Sequence, residues 1–196
     1  MTGHTGWVIA LTVLPDGSLV SGSEDNTIKI WDVDNSHTIK TLTGHNKTVR
    51  ALTVLPDGSL VSGSHDDTIK IWDVKNGQTI KTLTGHNKTV NALTVLPDGS
   101  LVSGSWDNTI KIWDVKNGQT IKTLTGHTSS VNALTVLPDG SLVSGSHDDT
   151  IKIWDVKNGQ TIKTLTGHTS RVISLTVLPD GSLVSGSFDN TIKIWF

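Results

Sequence analysis

Residues 44–84 read GHNKTVRALTVLPDGSLVSGSHDDTIKIWDVKNGQTIKTLT, and this 41-residue pattern begins five times along the chain. Its opening Gly-His recurs every 41 residues, and Leu-Pro-Asp-Gly and Ile-Lys-Ile-Trp recur in step with it. A fixed period of about 40 residues indicates one supersecondary unit that is copied and stacked. Within a single domain of residues 1–196, the predicted repeats are 3–43, 44–84, 85–125, 126–166 and 167–196.

Each repeat predicts four strands joined by tight turns. In the second copy, Pro56-Asp57-Gly58 reverses the chain, because proline fixes φ and glycine accepts a positive φ. Asn76-Gly77 favours a two-residue hairpin between the third and fourth strands. The intervening segments are rich in β-branched and apolar residues. The predicted strands of this copy are 49–55, 59–64, 68–74 and 79–83.

No segment shows a helical period, so the sequence predicts an all-β fold of four-stranded antiparallel meanders. In the third strand, Ile69 and Ile71 belong to one face and Trp72 to the other, so both faces carry apolar side chains. A single sheet cannot bury both faces, and neighbouring copies must cover them. Because sheets twist with a fixed hand, stacking them around an axis gives a β-propeller.

The repeat also carries a family resemblance. Gly-His, Leu-Pro-Asp-Gly and Ser-Gly-Ser-x-Asp-x-Thr-Ile-Lys-Ile-Trp-Asp together resemble the WD40 repeat over essentially the whole chain. The last copy departs from it, reading Trp195-Phe196 where the others read Trp-Asp. The resemblance implies a WD40 β-propeller of five four-stranded blades, the last without its fourth strand. The near-identity of the copies is similar to that of a fragment of a highly repetitive bacterial-type propeller or of an engineered one.

The resemblance also implies a structural tetrad in each blade. In the family, a His lies between an Asp and a Ser, and the Ser meets a Trp indole N–H. Blade by blade, the matching residues are His4, Ser21, Asp25 and Trp31; His45, Ser62, Asp66 and Trp72; His86, Ser103, Asp107 and Trp113; His127, Ser144, Asp148 and Trp154; and His168, Ser185, Asp189 and Trp195.

A Ser, a His and an Asp are also the side chains of a hydrolase triad. A nucleophile needs an exposed oxygen, an oxyanion hole and one pocket, whereas five equal copies predict no unique pocket and a Trp over each Ser. We therefore interpret the sets as structural and expect no catalytic residue, with a Ser–His hydrolase as an alternative. We expect no metal or cofactor either, since the chain has no cysteine and His65 and His147 lie two repeats apart.

The copies disagree at three positions, which are the third and fifth residues after each His and the residue before the turn Asp. In a meander, the loop entering strand one and the loop joining strands two and three lie at the same end. The three positions therefore form one rim, which in WD40 proteins is the usual partner-binding face. Neutral drift explains the same variation, but the large aromatic residues favour binding. The predicted partner-binding rim is Trp7, Ile9, Glu24, Thr48, Arg50, His65, Thr89, Asn91, Trp106, Ser130, Asn132, His147, Arg171, Ile173 and Phe188.

The fifth copy stops at Phe196, after its third strand. We expect strand 191–195 to have a free edge, which tends to pair with another chain. Five copies are also few for a WD40 ring, and an open arc would expose apolar faces of the Ile28/Ile30 type at both end blades. Both features predict that the chain forms a homodimer, and a closed five-bladed monomer is the alternative.

Composition narrows the function classes. The net charge of −2 gives no broad basic surface for nucleic acid. No apolar run approaches the roughly 20 residues of a spanning helix, and the N-terminus does not resemble a signal peptide, so we expect a cytoplasmic protein without a membrane partner. The sequence predicts a non-catalytic repeat scaffold or protein-interaction module that self-assembles. The alternative is a receptor-like propeller whose rim binds a specific peptide or protein.

Overall fold

The computed structural model describes every residue from Met1 to Phe196 and contains strands and turns but no helix. Nineteen strands form five antiparallel sheets, of which four have four strands and the last has three. In each sheet the strand order follows the chain, so every pairing joins consecutive strands. The predicted all-β fold of five repeated meanders, the fifth without its fourth strand, is therefore confirmed.

We number the strands in chain order and call each sheet a blade. Blade 1 contains β1 (Val8–Val13), β2 (Leu19–Ser23), β3 (Ile28–Asp32) and β4 (His37–Leu42); blade 2 contains β5 (Val49–Val54), β6 (Leu60–Ser64), β7 (Ile69–Asp73) and β8 (Gln78–Leu83); blade 3 contains β9 (Val90–Val95), β10 (Leu101–Ser105), β11 (Ile110–Asp114) and β12 (Gln119–Leu124); blade 4 contains β13 (Val131–Val136), β14 (Leu142–Ser146), β15 (Ile151–Asp155) and β16 (Gln160–Leu165); and blade 5 contains β17 (Val172–Val177), β18 (Leu183–Ser187) and β19 (Ile192–Trp195).

The chain divides into two compact units, Met1–Leu93 and Thr94–Phe196. The first unit holds blades 1 and 2, and the second holds blades 4 and 5, while the boundary passes through β9 of blade 3. No helix with the length and apolar character needed to cross a membrane is present.

The Leu-Pro-Asp-Gly turn joins the first two strands of each blade. In blade 1, the Gly17 N–H donates to the Leu14 carbonyl at 2.9 Å. Gly17 has φ +87°, a left-handed conformation that glycine adopts without steric cost. The Asp16 carboxylate accepts the Ser18 N–H at 2.9 Å. These contacts lie within five consecutive residues, so each copy of the motif can form the same turn.

The connection between the third and fourth strands differs from the predicted two-residue hairpin. In blade 2, β7 ends at Asp73 and β8 begins at Gln78, which leaves a loop of four residues. The Asp73 carboxylate accepts the Lys75 N–H at 2.8 Å and the Asn76 side-chain amide at 2.7 Å. The Gly77 N–H donates to the Asp73 carbonyl at 2.8 Å. The two-residue prediction is wrong because the aspartate at the strand end organises a wider turn, in which only Gly77 has a positive φ.

Consecutive blades pack through apolar faces that fit around a glycine. Ile28 and Ile30 of blade 1 are buried against Val49 and Trp72 of blade 2. A Cβ at Gly22 would lie only 2.6 Å from Val49 Cγ1, so the valine occupies the space that the missing side chain leaves. We call this contact the valine-on-glycine seam. It recurs at Gly63 with Val90, at Gly104 with Val131, and at Gly145 with Val172.

The two end blades leave different apolar faces exposed. In blade 5, Ile192 and Ile194 are 75% and 49% exposed, and β19 pairs only with β18. In blade 1, Ile28 and Ile30 are buried, so the expectation of exposed faces of this type at both ends is wrong for that blade. The reason is that the next blade covers this face wherever one follows. The first strand of blade 1 instead exposes Val8, Leu11 and Val13, and Ile39 of its fourth strand is exposed as well.

Candidate functional site

A hydrogen-bonded set of four side chains spans the blade. In blade 2, His45 Nδ1 lies 2.7 Å from Asp66 Oδ2, and His45 Nε2 lies 2.7 Å from Ser62 Oγ. The indole N–H of Trp72 donates to the same Ser62 oxygen at 2.8 Å. Because a carboxylate and an indole have fixed roles, Nδ1 donates to Asp66 and Nε2 accepts the Ser62 hydroxyl proton. The imidazole is therefore held between the Asp and the Ser.

The same arrangement occurs in other blades. The distances from His Nε2 to Ser Oγ are 2.7 Å in blades 1 and 4 and 2.8 Å in blade 5. In blade 3, the Trp113 indole donates to Ser103 at 2.8 Å, and Asp107 accepts the hydroxyl of the threonine two positions on. The structure thus brings together His4, Ser21, Asp25 and Trp31; His127, Ser144, Asp148 and Trp154; and His168, Ser185, Asp189 and Trp195.

Two further side chains, which the sequence analysis missed, extend each set. In blade 2, the Thr68 hydroxyl and N–H both donate to Asp66 Oδ1, at 2.6 and 3.0 Å. The Ser64 hydroxyl accepts the Asp66 N–H at 3.0 Å and donates to the Lys47 carbonyl at 3.1 Å. The signal was available, because Ser and Thr stand at these positions in all five copies. Asp66 is therefore the centre of its own turn as well as the partner of His45.

Hydrogen bonds determine the charge state of the tetrad carboxylates. Burial raises the pKa of Asp66, but donors from His45 and Thr68 outweigh it and hold the pKa of this carboxyl well below its usual range. The pKa of Asp148 is lowered by the same balance, with donors from His127 and Thr150. Each of these aspartates is ionised at neutral pH.

The serine of the tetrad is enclosed. Ser62 and Ser144 are fully buried, and each Ser oxygen is in contact with both a His nitrogen and a Trp nitrogen. The His45 ring lies edge-on to the Trp72 ring, with centroids 5.9 Å apart. This geometry satisfies every polar atom of the set, which is what buried polar groups require, and it leaves the Ser oxygen no open side for a substrate carbonyl.

The variable positions meet in pairs at the opposite end of the blade from the Leu-Pro-Asp-Gly turn. The N–H of Glu24 donates to the Trp7 carbonyl at 2.9 Å, and the N–H of Phe188 donates to the Arg171 carbonyl at 3.0 Å. The same bond joins His65 to Thr48 and His147 to Ser130. The rim positions of one blade are therefore held together by the backbone, whatever their side chains are.

In blades 1, 2, 4 and 5, the fifth position after the His lies at a β-bulge. The pairing of β5 with β6 shifts register between Val49 and Ala51, so Arg50 is the extra residue of the bulge. Equivalent shifts flank Ile9, Asn132 and Ile173. A bulge redirects a side chain relative to the regular pleat. The varied position is thus a place where the strand tolerates change without disturbing the ladder.

In the first unit the rim carries a charged pair, Glu24 and Arg50, beside the exposed Trp7. Arg50 Nε donates to Asn91 Oδ1 at 3.0 Å. Burial lowers the pKa of Arg50, and the nearby Glu24 carboxylate partly opposes this. Burial also lowers the pKa of His65, with Arg50 adding to the effect. His65 is therefore neutral at pH 7, while Arg50 keeps its charge.

In the second unit the rim is aromatic and cationic. The Arg171 guanidinium lies 5.4 Å above the centroid of the Phe188 ring, within the range of a cation–π contact. Burial lowers the pKa of His147, and Arg171 lowers it further. The Asn132 side chain donates to the Val172 carbonyl at 3.4 Å. Trp106 is half-buried in this unit.

The rim residues differ in the fraction of each side chain that is exposed to solvent. Trp7 and Phe188 are 77% and 56% exposed, whereas Thr89 is buried and offers no surface to a partner. Exposed aromatic side chains of this size are typical of binding surfaces. The accessible part of the rim is therefore smaller than the set of variable positions.

Comparison with known proteins supports the reading of the repeats. The family model described as the WDR41 β-propeller matches residues 34–142, and the model described as the WD domain, G-beta repeat, matches residues 1–32 and 159–195.

Curated relatives match over about one repeat. A small ribosomal subunit protein RACK1 from Schizosaccharomyces pombe is 49% identical over 41 residues, which is 20% of this chain and 13% of that protein. The transcriptional repressor tup12 of the same yeast is 45% identical over 42 residues, 21% of this chain and 7% of that protein. The chain thus spans only a small part of the length of these relatives. Because the WDR41 model alone matches more than half of the chain, and the matched residues form the blades described above, the chain belongs to the WD40-repeat β-propeller family.

Proposed function

We propose that this chain is a non-catalytic repeat scaffold that binds proteins and associates with itself. The enclosed tetrad serine is the observation that carries the non-catalytic part. A nucleophilic serine must present its oxygen to a substrate and have an oxyanion site beside it. Here Ser144 Oγ is buried and is in contact with His127 at 2.7 Å and Trp154 at 2.8 Å. The four tetrad side chains therefore hold the strands of the blade together.

The relatives support an interaction role. One of them is named as a protein of the small ribosomal subunit, and a protein of that name is part of a larger assembly. The shared segment is one blade, which offers a rim and two packing faces but no cofactor chemistry. We place the protein in the cytoplasm, where such a scaffold would meet its partners.

An ester-hydrolysis assay tests the non-catalytic part. We expect p-nitrophenyl acetate to turn over no faster with this chain than with the free imidazole of an equal number of histidines. Ser144→Ala should leave that rate unchanged. A rate above background that disappears with any single tetrad Ser→Ala substitution would establish the Ser–His hydrolase instead.

Self-association is supported by the two exposed end faces. Val8 and Leu11 of blade 1 stand where Val49 and Leu52 stand in blade 2, and Val49 and Leu52 pack over Gly22. In blade 5, Gly186 is the equivalent of Gly22, and no following valine covers it. A second copy can therefore repeat the valine-on-glycine seam between chains, and the unpaired edge of β19 adds backbone donors and acceptors.

Native mass spectrometry of the 196-residue chain tests this part. We expect a dimer of twice 20.9 kDa at micromolar concentration. Val8→Asp should yield monomer, because it places a charge in the proposed seam. Ile80→Asp is the matched control, since Ile80 is also exposed, at 56%, but belongs to neither end face. A wild-type mass of 20.9 kDa, or a dimer that survives Val8→Asp, would contradict the proposal.

The exposure of Trp7 and Phe188 favours a second candidate function, in which the rim binds a specific peptide or protein. Affinity capture with the wild-type chain and with the Trp7→Ser/Phe188→Ser variant tests it. The receptor function requires that a partner bound by the wild type be lost from the variant, with the dimer mass unchanged. Equal capture by both chains would rule the rim aromatics out of binding.

A further inference from the structure

A cleft lies in the second unit at the Leu-Pro-Asp-Gly end of blades 3 and 4, away from the rim. Its volume is about 310 Å³. We call it the basal cleft and define it by Leu96, Asp98, Asp139, Trp154, Val156 and Ile162, which all line it. Of these residues only the buried Trp154 belongs to a tetrad, and none belongs to the rim.

The floor of the basal cleft is apolar and open. Ile162, on the fourth strand of blade 4, is 61% exposed, as Ile39, Ile80 and Ile121 are on the other fourth strands. Leu96 and Val156 continue the apolar surface, and Pro97 borders it. A partner side chain that covered Ile162 would remove apolar surface from water, which stabilises a complex.

The mouth of the cleft is acidic. Asp98, Asp139 and Asp155 line it together with Lys157. A second cation, Lys122, lies at its border and donates to the Val156 carbonyl at 3.1 Å, so three carboxylates face two ammonium groups. One oxygen of Asp98 accepts the Ser100 N–H at 2.9 Å, and one oxygen of Asp139 accepts the Ser141 N–H at 2.8 Å. These bonds leave the second oxygen of each carboxylate available to a ligand. The surplus of negative charge over an apolar floor selects a ligand that is both basic and aliphatic.

The two carboxylates lie on turns that touch. A Cβ built at Gly140 would lie 3.8 Å from Pro97 Cγ, so the turn carrying Asp139 packs on the turn carrying Asp98. A planar guanidinium can donate to two such oxygens at once, whereas an ammonium is a point charge. The three methylenes of an arginine match the apolar floor, because long basic side chains bury their stems and keep their charged heads in contact with water or carboxylates.

We propose that the basal cleft binds an arginine side chain of a partner protein, with the guanidinium at Asp98 and Asp139 and the stem over Ile162. The same residues stand 82 positions earlier in the first unit, as Leu14, Asp16, Asp57, Trp72, Val74 and Ile80. There the two turns also touch, with Gly58 3.9 Å from Pro15 Cγ by the same measure. The residues of the proposed site and the contact between its two turns therefore recur in the first unit. Blade 5 departs from the pattern, since Phe196 replaces the aspartate that follows the Trp.

Isothermal titration calorimetry with a blocked peptide containing one arginine between glycines and serines tests the proposal. A peptide with citrulline in place of arginine is the probe control, because it keeps the shape and loses the charge. We expect the arginine peptide to bind at least tenfold more tightly than the citrulline peptide. Equal binding of the two peptides, or binding of neither, would overturn the proposal.

The protein variant joins Asp16→Asn, Asp57→Asn, Asp98→Asn and Asp139→Asn, which keeps an oxygen acceptor for each turn. We expect it to bind the arginine peptide at least tenfold more weakly than the wild type. Asp180→Asn, in the same turn of blade 5, is the matched control and should bind as the wild type does. The Trp7→Ser/Phe188→Ser variant should also retain peptide binding, whereas its loss there would assign the peptide to the rim and refute the basal cleft.

Discussion

At the scale of single residues, the tetrad serine connects two other buried side chains of its blade. It accepts from an indole and donates to an imidazole, and both partners are buried with it. Removing a hydroxyl of this kind leaves two polar groups without partners in a place that water cannot reach. Such groups lose the energy of their hydration without compensation.

Ser144→Ala should therefore destabilise the chain. We expect a loss of about 1–3 kcal/mol in the free energy of unfolding for each of the two groups left unsatisfied, Trp154 Nε1 and His127 Nε2. Urea denaturation measures it. Ser130→Ala in the same blade is the control, because its hydrogen bond to His147 uses the backbone carbonyl, and it should change the stability by less than about 0.5 kcal/mol.

The tetrad aspartates make the fold sensitive to acid. The folded-state pKa of Asp148 lies below its value in the unfolded chain, which is about 3.9. The unfolded chain therefore takes up the proton first, and the stability present above that pH is lost as the pH falls through the folded pKa. We expect the free energy of unfolding to fall steadily below about pH 4. In the Asp148→Asn variant the slope against pH should be smaller, and an unchanged slope would contradict this origin.

At the scale of elements, the turn between strands three and four shows how the preceding blade limits the size of the residue at one position. Gly159 has φ +75°, and a Cβ there would lie 3.0 Å from Lys122 Cδ of the preceding blade. In blade 1 the equivalent residue is Ser36, with φ +56°. No earlier blade crowds the turn of blade 1, so a serine side chain fits at position 36. The left-handed conformation is still less favourable for serine than for glycine.

Exchanging these residues should have unequal effects. Gly159→Ser should destabilise the chain by about 1–2 kcal/mol, since the left-handed φ and the close approach both oppose it. Ser36→Gly should change the stability by less than about 1 kcal/mol, because relief of the strained φ is offset by the greater freedom of glycine in the unfolded chain. Thermal unfolding of the two variants under one condition makes the comparison.

The valine-on-glycine seam provides a second test at this scale. Gly145→Ala places a Cβ 2.7 Å from Val172 Cγ1, so we expect a loss of about 1–3 kcal/mol from overpacking. Gly186→Ala in blade 5 meets only the hydroxyl end of Ser174, which can move aside, and its folding should be affected less. If a second copy covers blade 5 as proposed, Gly186→Ala should instead lower the dimer fraction seen by native mass spectrometry.

At the scale of the whole molecule, the sequence predicts best the features that contacts between nearby residues determine. The Leu-Pro-Asp-Gly turn and the strand order follow from motifs that carry their own hydrogen bonds, whereas the tetrad residues were predicted from the resemblance to the WD40 repeat. What it missed depends on neighbours. Ile28 and Ile192 occupy the same place in the repeat, yet one is 1% exposed and the other 75%. The basal cleft was missed for the same reason, because it forms only where the turns of two blades meet.

The recurrence of the valine-on-glycine seam has a consequence for how the protein unfolds. Since each blade makes its strand pairs within itself and meets only adjacent copies through equivalent contacts, the free energy of the array approximates a sum of equal local and nearest-neighbour parts. No single blade then holds the others in place, and opening should begin at the ends and move inwards. In the chain kept monomeric by Val8→Asp, amide hydrogen exchange should accordingly be fastest in β17 to β19, whose outer face is then uncovered, and slowest in strands closed on both sides.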